Sequence, residues 1–291
     1  TLELDVSTYG TKRHLSWVET LSYLACKNGG HWSDYKSSQL DKLVEALGED
    51  MTPDDLMSEN KYYAFYKEAY GAVLSGLLGE YTKVAPDGNG GIKIIEGYGL
   101  KAYSPIAEGF WFSHYDDFGD SRSYGYKRQH LGHDMMGSLG TPIVAVESGI
   151  VEAMGWNRYG GWRIGIRSFD SKRYYYYAHL QKDHPFAKGL SEGDMVQAGD
   201  VIGFMGRTGY SDKENVNNIS AVHLHFGMQL VFDESQKECN SEIWIDTYSL
   251  VRLLQSHRST VVCEEGKWKR KFGFVDLDIL DHSCDNIFVE N

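Results

Sequence analysis

The chain has 291 residues, and 29 Lys and Arg against 41 Asp and Glu leave a formal charge of −12. A hydrophobic fraction of 42% with 13% aromatics is enough to build cores, which excludes a mainly disordered chain and allows one large domain or two modest ones. The acidic balance argues against broad nucleic-acid binding and against a polybasic hold on anionic lipid, and no run approaches the roughly 18 consecutive apolar residues of a membrane span.

The chain starts at Thr1 with neither an initiator Met nor a basic-then-apolar leader, which reads as a mature or trimmed chain. From Lys12 to about Thr82 the apolar spacing is helical. Leu15, Val18, Leu21 and Ala25 recur at three- and four-residue steps, as do Leu40, Leu43, Val44 and Leu47. Gly48 reads as a helix stop, and Thr52-Pro53-Asp54-Asp55 as a capped restart with proline in the first turn. Tyr62, Phe65, Tyr66, Ala69, Tyr70, Val73 and Leu77 carry the helical period on. The run Pro86-Asp87-Gly88-Asn89-Gly90-Gly91 breaks any helix and marks a linker.

Beyond Leu100 short β-rich runs take over: 142–146, 163–167, 173–179, 201–205 and 223–231, with glycine-bearing turns between them. That texture predicts an antiparallel β domain, closed by a short helix over 249–257. The stretch from Arg258 to Asn291 mixes a basic run with acidic and apolar residues and has no assigned place. The expected domains are therefore a helical 1–85, a linker 86–99, a β domain 100–257 and an extension 258–291. Cysteines at 26, 239, 263 and 284 form no C-x-x-C pair, which argues against a cysteine zinc site. Four thiols do not make a stapled scaffold, and their pairing stays open.

Histidines of the β part carry the chemistry. His130-Leu131-Gly132-His133-Asp134 sets an imidazole and a carboxylate four residues apart. In an extended segment they share a face with Gly132, which leaves room for an ion. His223-Leu224-His225 puts two imidazoles on one strand face, and Tyr177-Ala178-His179 ends an aromatic strand with a third. Neutral imidazole with carboxylate is a ligand set that zinc favours, and a catalytic zinc needs only three protein ligands. Singly each piece is weak. Together, in one β-rich segment, they point to a metal site.

The run from Arg128 to Leu230 resembles the zinc metallopeptidases of the M23 type, the lysostaphin-like or LytM-like peptidoglycan endopeptidases. The matching text is HLGHD, GTPIVAVESGIVEAMGW, GGWRIGIR, YYYYAHL, GDMVQAGDVIGFMGRTG and HLHFGM, and the resemblance covers roughly residues 105–250. It implies an antiparallel β-sheet metallopeptidase domain, which with the helical N-terminal domain read from the apolar spacing makes the chain α+β. It implies Zn2+ held by His130, Asp134 and His225, with His179 and His223 as the catalytic pair. Which of the two is the base stays open. Tyr124, six residues before His130, is a candidate oxyanion contact, with a packing or turn role as its competitor because Tyr126 is close by.

His133 replaces a position often small or apolar in the family and is expected to face away from the ligands. His31, His114 and His184 are expected to be structural. The resemblance also implies a narrow groove for stem peptides or cross-bridges of peptidoglycan, lined by two of Tyr174 to Tyr177 unless those rings pack the sheet. The expected location is extracellular or in the cell envelope. The alternative is an envelope scaffold or regulator built on the same fold, as in sporulation complexes, against which all five functional positions are filled. The helical part is expected to support the β domain, occlude its groove or bind a protein partner.

Overall fold

The computed structural model describes residues 1–48, 50–86, 92–123, 127–238, 241–271 and 273–279. Two compact units divide the chain: Thr1–Gly79 with Tyr98–Leu100, and Glu80–Gly97 with Lys101–Asn291.

The first unit is helical where the apolar period is helical. Its helices are α1 (Leu2–Thr8), α2 (Trp17–Lys27), α3 (Ser37–Ala46), α4 (Pro53–Met57) and α5 (Tyr63–Leu74). At the start of α4 the Thr52 hydroxyl accepts the Asp55 amide and the Asp55 carboxylate accepts the Thr52 amide, with Pro53 in the first turn. This reciprocal cap satisfies amides that a helix start leaves unpaired. The inward stripes supply Leu15, Tyr23, Leu24, Leu43, Leu47, Met57 and Tyr63 to one core. Helix α1 precedes the region where the apolar spacing had signalled helix.

The second unit takes most of β1 (Leu78–Pro86) and of β2 (Ile92–Leu100), both cut by the division, and goes on with β3 (Phe112–His114), β4 (Ser121–Ser123), β5 (Lys127–Gln129), β6 (His133–Gly137) and β7 (Pro142–Val144). It continues through β8 (Gly149–Asn157), β9 (Gly161–Ser168), β10 (Arg173–Ala178), β11 (Met195–Val196), β12 (Val201–Phe204) and β13 (His223–Leu230). The described part ends with β14 (Ile243–Ile245), α6 (Tyr248–Leu254), β15 (Val261–Glu264), β16 (Lys267–Arg270) and β17 (Phe274–Asp276). The main sheet runs β11-β8-β9-β10-β13-β6-β3, with β14 also on β13, and its recorded pairs are antiparallel.

Period-two alternation sorts its two faces. Tyr175, Tyr177, Ile164, Ile166, Phe226, Met228 and Met135 are completely buried on one. The buried phenols are satisfied there: Tyr175 donates to Glu147 at 2.5 Å and Tyr177 accepts the Val146 amide at 2.9 Å. Tyr174 and Tyr176 lie opposite Arg167 and Gly165 on the other face. Of the four consecutive tyrosines, two therefore pack the core and two line a groove.

Two boundaries differ from the sequence reading. Most of the expected linker 86–99 is strand, because β2 occupies Ile92–Leu100; residues 87–91 lie outside the described ones. A glycine- and aspartate-rich break marks where regular structure stops, and it is blind to strands beginning just beyond it. The expected extension is built into the β unit through residue 279. Trp268 meets Phe110 edge to face, Arg270 donates to the Ala198 carbonyl, and buried Lys101 binds Asp276 at 2.8 Å. Residues 280–291 lie outside the described ones. Among the described cysteines, Cys26 and Cys263 are free thiols.

Candidate active site

The β6–β13 ladder sets the register on which the site depends. His225 pairs directly with Asp134, and His223 with Met136 two residues along. Directly opposed residues of an antiparallel pair point to the same face, so the His225 imidazole and the Asp134 carboxylate meet at 3.0 Å from Nδ1 to Oδ1. His130 lies before β6 rather than on it. The chain bends at Gly132 and brings His130 Nε2 to 3.1 Å from Asp134 Oδ1 and 2.9 Å from His225 Nδ1. The two side chains thus converge as expected, through a bend instead of a continuous strand face. Gly132 has a sterner duty than leaving space: a Cβ there would stand 2.5 Å from His225 Cε1 and Nε2.

Candidate ligand atoms of His130, Asp134 and His225 all lie within 4.8 Å of one another. Two imidazole nitrogens and one carboxylate oxygen form a donor set of the zinc type. The electrostatics fit a cation as well. Burial opposes the charged form of His130, yet hydrogen bonds to Asp117 and Asp134 override it and push its pKa up to about 9. Burial likewise opposes the charge of Asp134, and hydrogen bonds from His130 and His225 hold it well below the usual carboxylate range. His225 goes the other way, its pKa lowered mainly by burial, so the negative charge at the centre is that of the Asp134 carboxylate.

Asp117, which has no motif to announce it, completes the centre. Its side chain is fully buried, its Oδ2 lies 3.2 Å from His130 Nδ1, and its carbonyl oxygen lies 3.1 Å from the same atom. This arrangement fixes Nδ1 as the protonated nitrogen and turns Nε2 to Asp134, as an outer carboxylate does behind a metal-binding histidine. Arg122 holds Asp117 Oδ2 at 2.9 Å. His133 does face away from the ligands: it is buried, with Nε2 2.7 Å from His114 Nδ1 and Nδ1 3.6 Å from Asp117. Tyr124 lies outside the described residues.

His179 and His223 stand beside the three. Their ring centroids are 4.8 Å apart, and His223 Nε2 is 3.7 Å from Asp134 Oδ1. His179 takes a left-handed φ of 61° at the end of β10, uncommon away from glycine. Its Nδ1 is held by the Gly160 and Thr208 carbonyls at 3.1 and 2.9 Å. His223 Nδ1 is likewise 3.1 Å from the Ala221 carbonyl. Burial, then the neighbouring His223 and His225, push the His179 pKa well down.

A groove of about 1130 Å³ leads away from His225, lined by Tyr174, Tyr176, Trp244, Arg128 and Arg163 among others. Glycines let its aromatic rings lie close against the backbone. A Cβ at Gly165 would meet the Tyr174 hydroxyl at 1.9 Å, one at Gly160 the Tyr176 hydroxyl at 2.2 Å, and one at Gly227 the Trp244 ring at 2.7 Å. Trp244 lies in none of the matching motifs, and Arg163, although inside GGWRIGIR, had been given no role.

Residues 128–239 match the family model described as Peptidase family M23. The chain is 42% identical over 117 residues to the L-Ala–D-Glu endopeptidase of Bacillus subtilis, covering 40% of this chain and 34% of the relative. It is 39% identical over 98 residues to lysostaphin of Staphylococcus simulans, covering 33% and 17%. The chain thus spans about a third or less of these relatives. A solved lytM structure from Ruminococcus gnavus has the same fold, with a TM-score of 0.55 and 24% identity over 87% of this chain and 93% of that one. That coverage reaches well beyond the peptidase segment.

Proposed function

Since residues 128–239 form a peptidase family M23 domain, we propose that this chain is a zinc-dependent endopeptidase that hydrolyses peptide bonds in peptidoglycan stem peptides or cross-bridges. The observation that carries the proposal is the convergence of His130, Asp134 and His225 within 4.8 Å, with two further imidazoles alongside at the head of a groove. His130 Nε2, Asp134 Oδ1 and His225 Nδ1 would hold the ion. When bound, zinc supplies Lewis acidity toward water and toward the scissile carbonyl.

The remaining work belongs to His179 and His223. Backbone carbonyls hold Nδ1 of each ring, which leaves Nε2 to exchange protons. Burial keeps His179 neutral near neutral pH, in the form that accepts a proton from water. The partner imidazole can contact the developing oxyanion and return a proton to the leaving amine. Tyr174, Tyr176 and Trp244 give the groove flat walls against which an extended peptide packs. A wall substrate places the protein outside the cytoplasm or in the envelope. Among the described residues no helix is long and apolar enough to cross a membrane.

The test is metal analysis combined with mass spectrometry of digested muropeptides. The zinc-loaded protein is expected to release peptide fragments, and chelation or alanine at His130, Asp134 or His225 is expected to abolish release. Full zinc occupancy with no hydrolysis of any muropeptide would refute the enzymatic reading.

A further inference from the structure

The groove carries a charge pattern that the rest of the chain does not prepare for. The protein is acidic, at −12, yet Arg128, Arg158, Arg163 and Lys237 line the groove against Glu152 and Glu242. Most of these charges are already answered. Arg158 pairs with Asp212 at 3.3 Å, Lys237 with Glu152 and Glu234, and Glu152 is engaged again by Arg167 at 2.7 Å. Glu242 accepts the Trp244 indole N–H at 2.8 Å.

Arg163 is different. Its Nη1 is buried and has no hydrogen-bond partner, and among the described residues no carboxylate pairs with it. Arg128 shares the condition in part: its guanidinium lies over the rings of Tyr159 and Tyr210 at 5.5 and 5.3 Å, and its Nε is buried without a partner. Leaving guanidinium N–H groups buried and unpaired is costly. Such a group in a native structure calls for an explanation, and in a groove an arriving ligand is one.

Position says what arrives. Gly165 pairs with Tyr176, and Ala178 with His225, across adjacent strands. Arg163, two residues before Gly165, therefore shares the face of Tyr176 and His225. Its backbone lies two strand spacings from that of His225, roughly 9–10 Å, the span of about three residues of extended peptide. A planar carboxylate is the natural complement of a guanidinium fork, which it meets through two parallel hydrogen bonds.

We propose that the groove selects peptides bearing a free carboxylate within about three residues of the scissile bond, and that Arg163 receives it. This deepens the peptidoglycan reading and rests on it for the identity of the peptide. Arg128, flanked by its two tyrosines, adds positive potential along the same wall. Arg163 acts on specificity, and proton transfer stays with the histidines.

Binding tests this apart from cleavage. Three probes are titrated calorimetrically into the zinc-loaded protein: L-alanyl-γ-D-glutamyl-L-lysinamide with its free α-carboxylate, the same peptide as the α-carboxamide, and that carboxamide peptide with a free C-terminal carboxylate. At least one carboxylate probe is expected to bind tenfold or more tightly than the neutral one, and which probe does so identifies the source of the carboxylate. Arg163→Gln is expected to bring the three within about twofold of one another, and Arg163→Lys to retain part of the preference. Equal binding of all three by the wild type, no binding of any up to millimolar concentration, or an undiminished preference in Arg163→Gln would overturn the proposal. Absence of hydrolysis would count against the endopeptidase reading alone.

Discussion

Gly132→Ala is the smallest change that should dismantle the metal centre while leaving the fold alone. The added Cβ would stand 2.5 Å from both Cε1 and Nε2 of His225 and 3.0 Å from the Phe226 carbonyl oxygen. Ordinary carbon contacts lie near 3.5–4.0 Å, so the imidazole must retreat by about 1 Å. It has little freedom to do so usefully. Its Nδ1 is 3.0 Å from Asp134 and 2.9 Å from His130, and any retreat opens that triangle. Gly132 has no left-handed φ, so alanine brings a collision without backbone strain. Misplacement of a reacting group by 1 Å costs on the order of 100-fold, or roughly 2.7 kcal/mol. Zinc affinity, measured by competition with a chromophoric chelator, is expected to fall by about that factor, and muropeptide hydrolysis by at least as much. Circular dichroism should stay unchanged. A variant that binds zinc like the wild type would refute the reasoning, because His225 would then be no ligand or would hold its place in some other way.

Further outcomes follow from the same geometry. Asp117→Ala removes the carboxylate behind His130 and is expected to lower zinc affinity by about 10- to 100-fold, read in the same competition assay. His179→Ala and His223→Ala should each cost about 10²- to 10⁴-fold in kcat while zinc content stays at one per chain. Lys101→Met leaves Asp276 buried without its cation and is expected to cost about 3–5 kcal/mol in chemical unfolding. The wild-type pair also has a pH signature. Burial disfavours charge on Lys101, but hydrogen bonds to Asp276 and Asp278 override it and raise its pKa above the ordinary 10.5. The stability it contributes is therefore complete below about pH 10.5 and is lost as pH rises through the folded value. The difference in stability between wild type and Lys101→Met should shrink only in that alkaline window.

The fold was most legible where one local rule dominated. The reciprocal cap at Thr52 and Asp55 needs three residues and no distant partner, and α4 starts where it says. Alternation in Tyr174 to Tyr177 could show that the rings divide between faces, but not which pair was buried. That depended on neighbours far along the chain, since Tyr175 and Tyr177 find Glu147 and Val146. Boundaries were less legible. Strand β2 follows directly on a stretch rich in turn residues, and β1, the strand it lies beside, takes β17 from near the end of the described chain at its other edge. A sheet completed from that far along the chain leaves almost no local trace.

The same distinction governs the candidate site. His130, Asp134, His223 and His225 sit in tight sequence clusters because neighbouring strand positions deliver two ligands at once, and clusters are what a sequence displays. Asp117 works differently: it acts on His130 from a separate loop, 13 residues away, through a contact that only the folded chain creates. Arg163 is hidden for another reason. Arginine on a strand is ordinary, and its meaning comes from what is missing around it: a buried nitrogen with no partner on the face that carries His225. Net charge concealed this too. The acidic total of −12 argues against a protein held on anionic polymers by broad electrostatics, and it still does. It says nothing about a groove whose own carboxylates are engaged by neighbouring groups. Recognition of a negatively charged peptide by an acidic protein is then a local matter of one unanswered guanidinium, and its affinity should depend only weakly on salt, because a buried pair is screened far less than the surrounding surface.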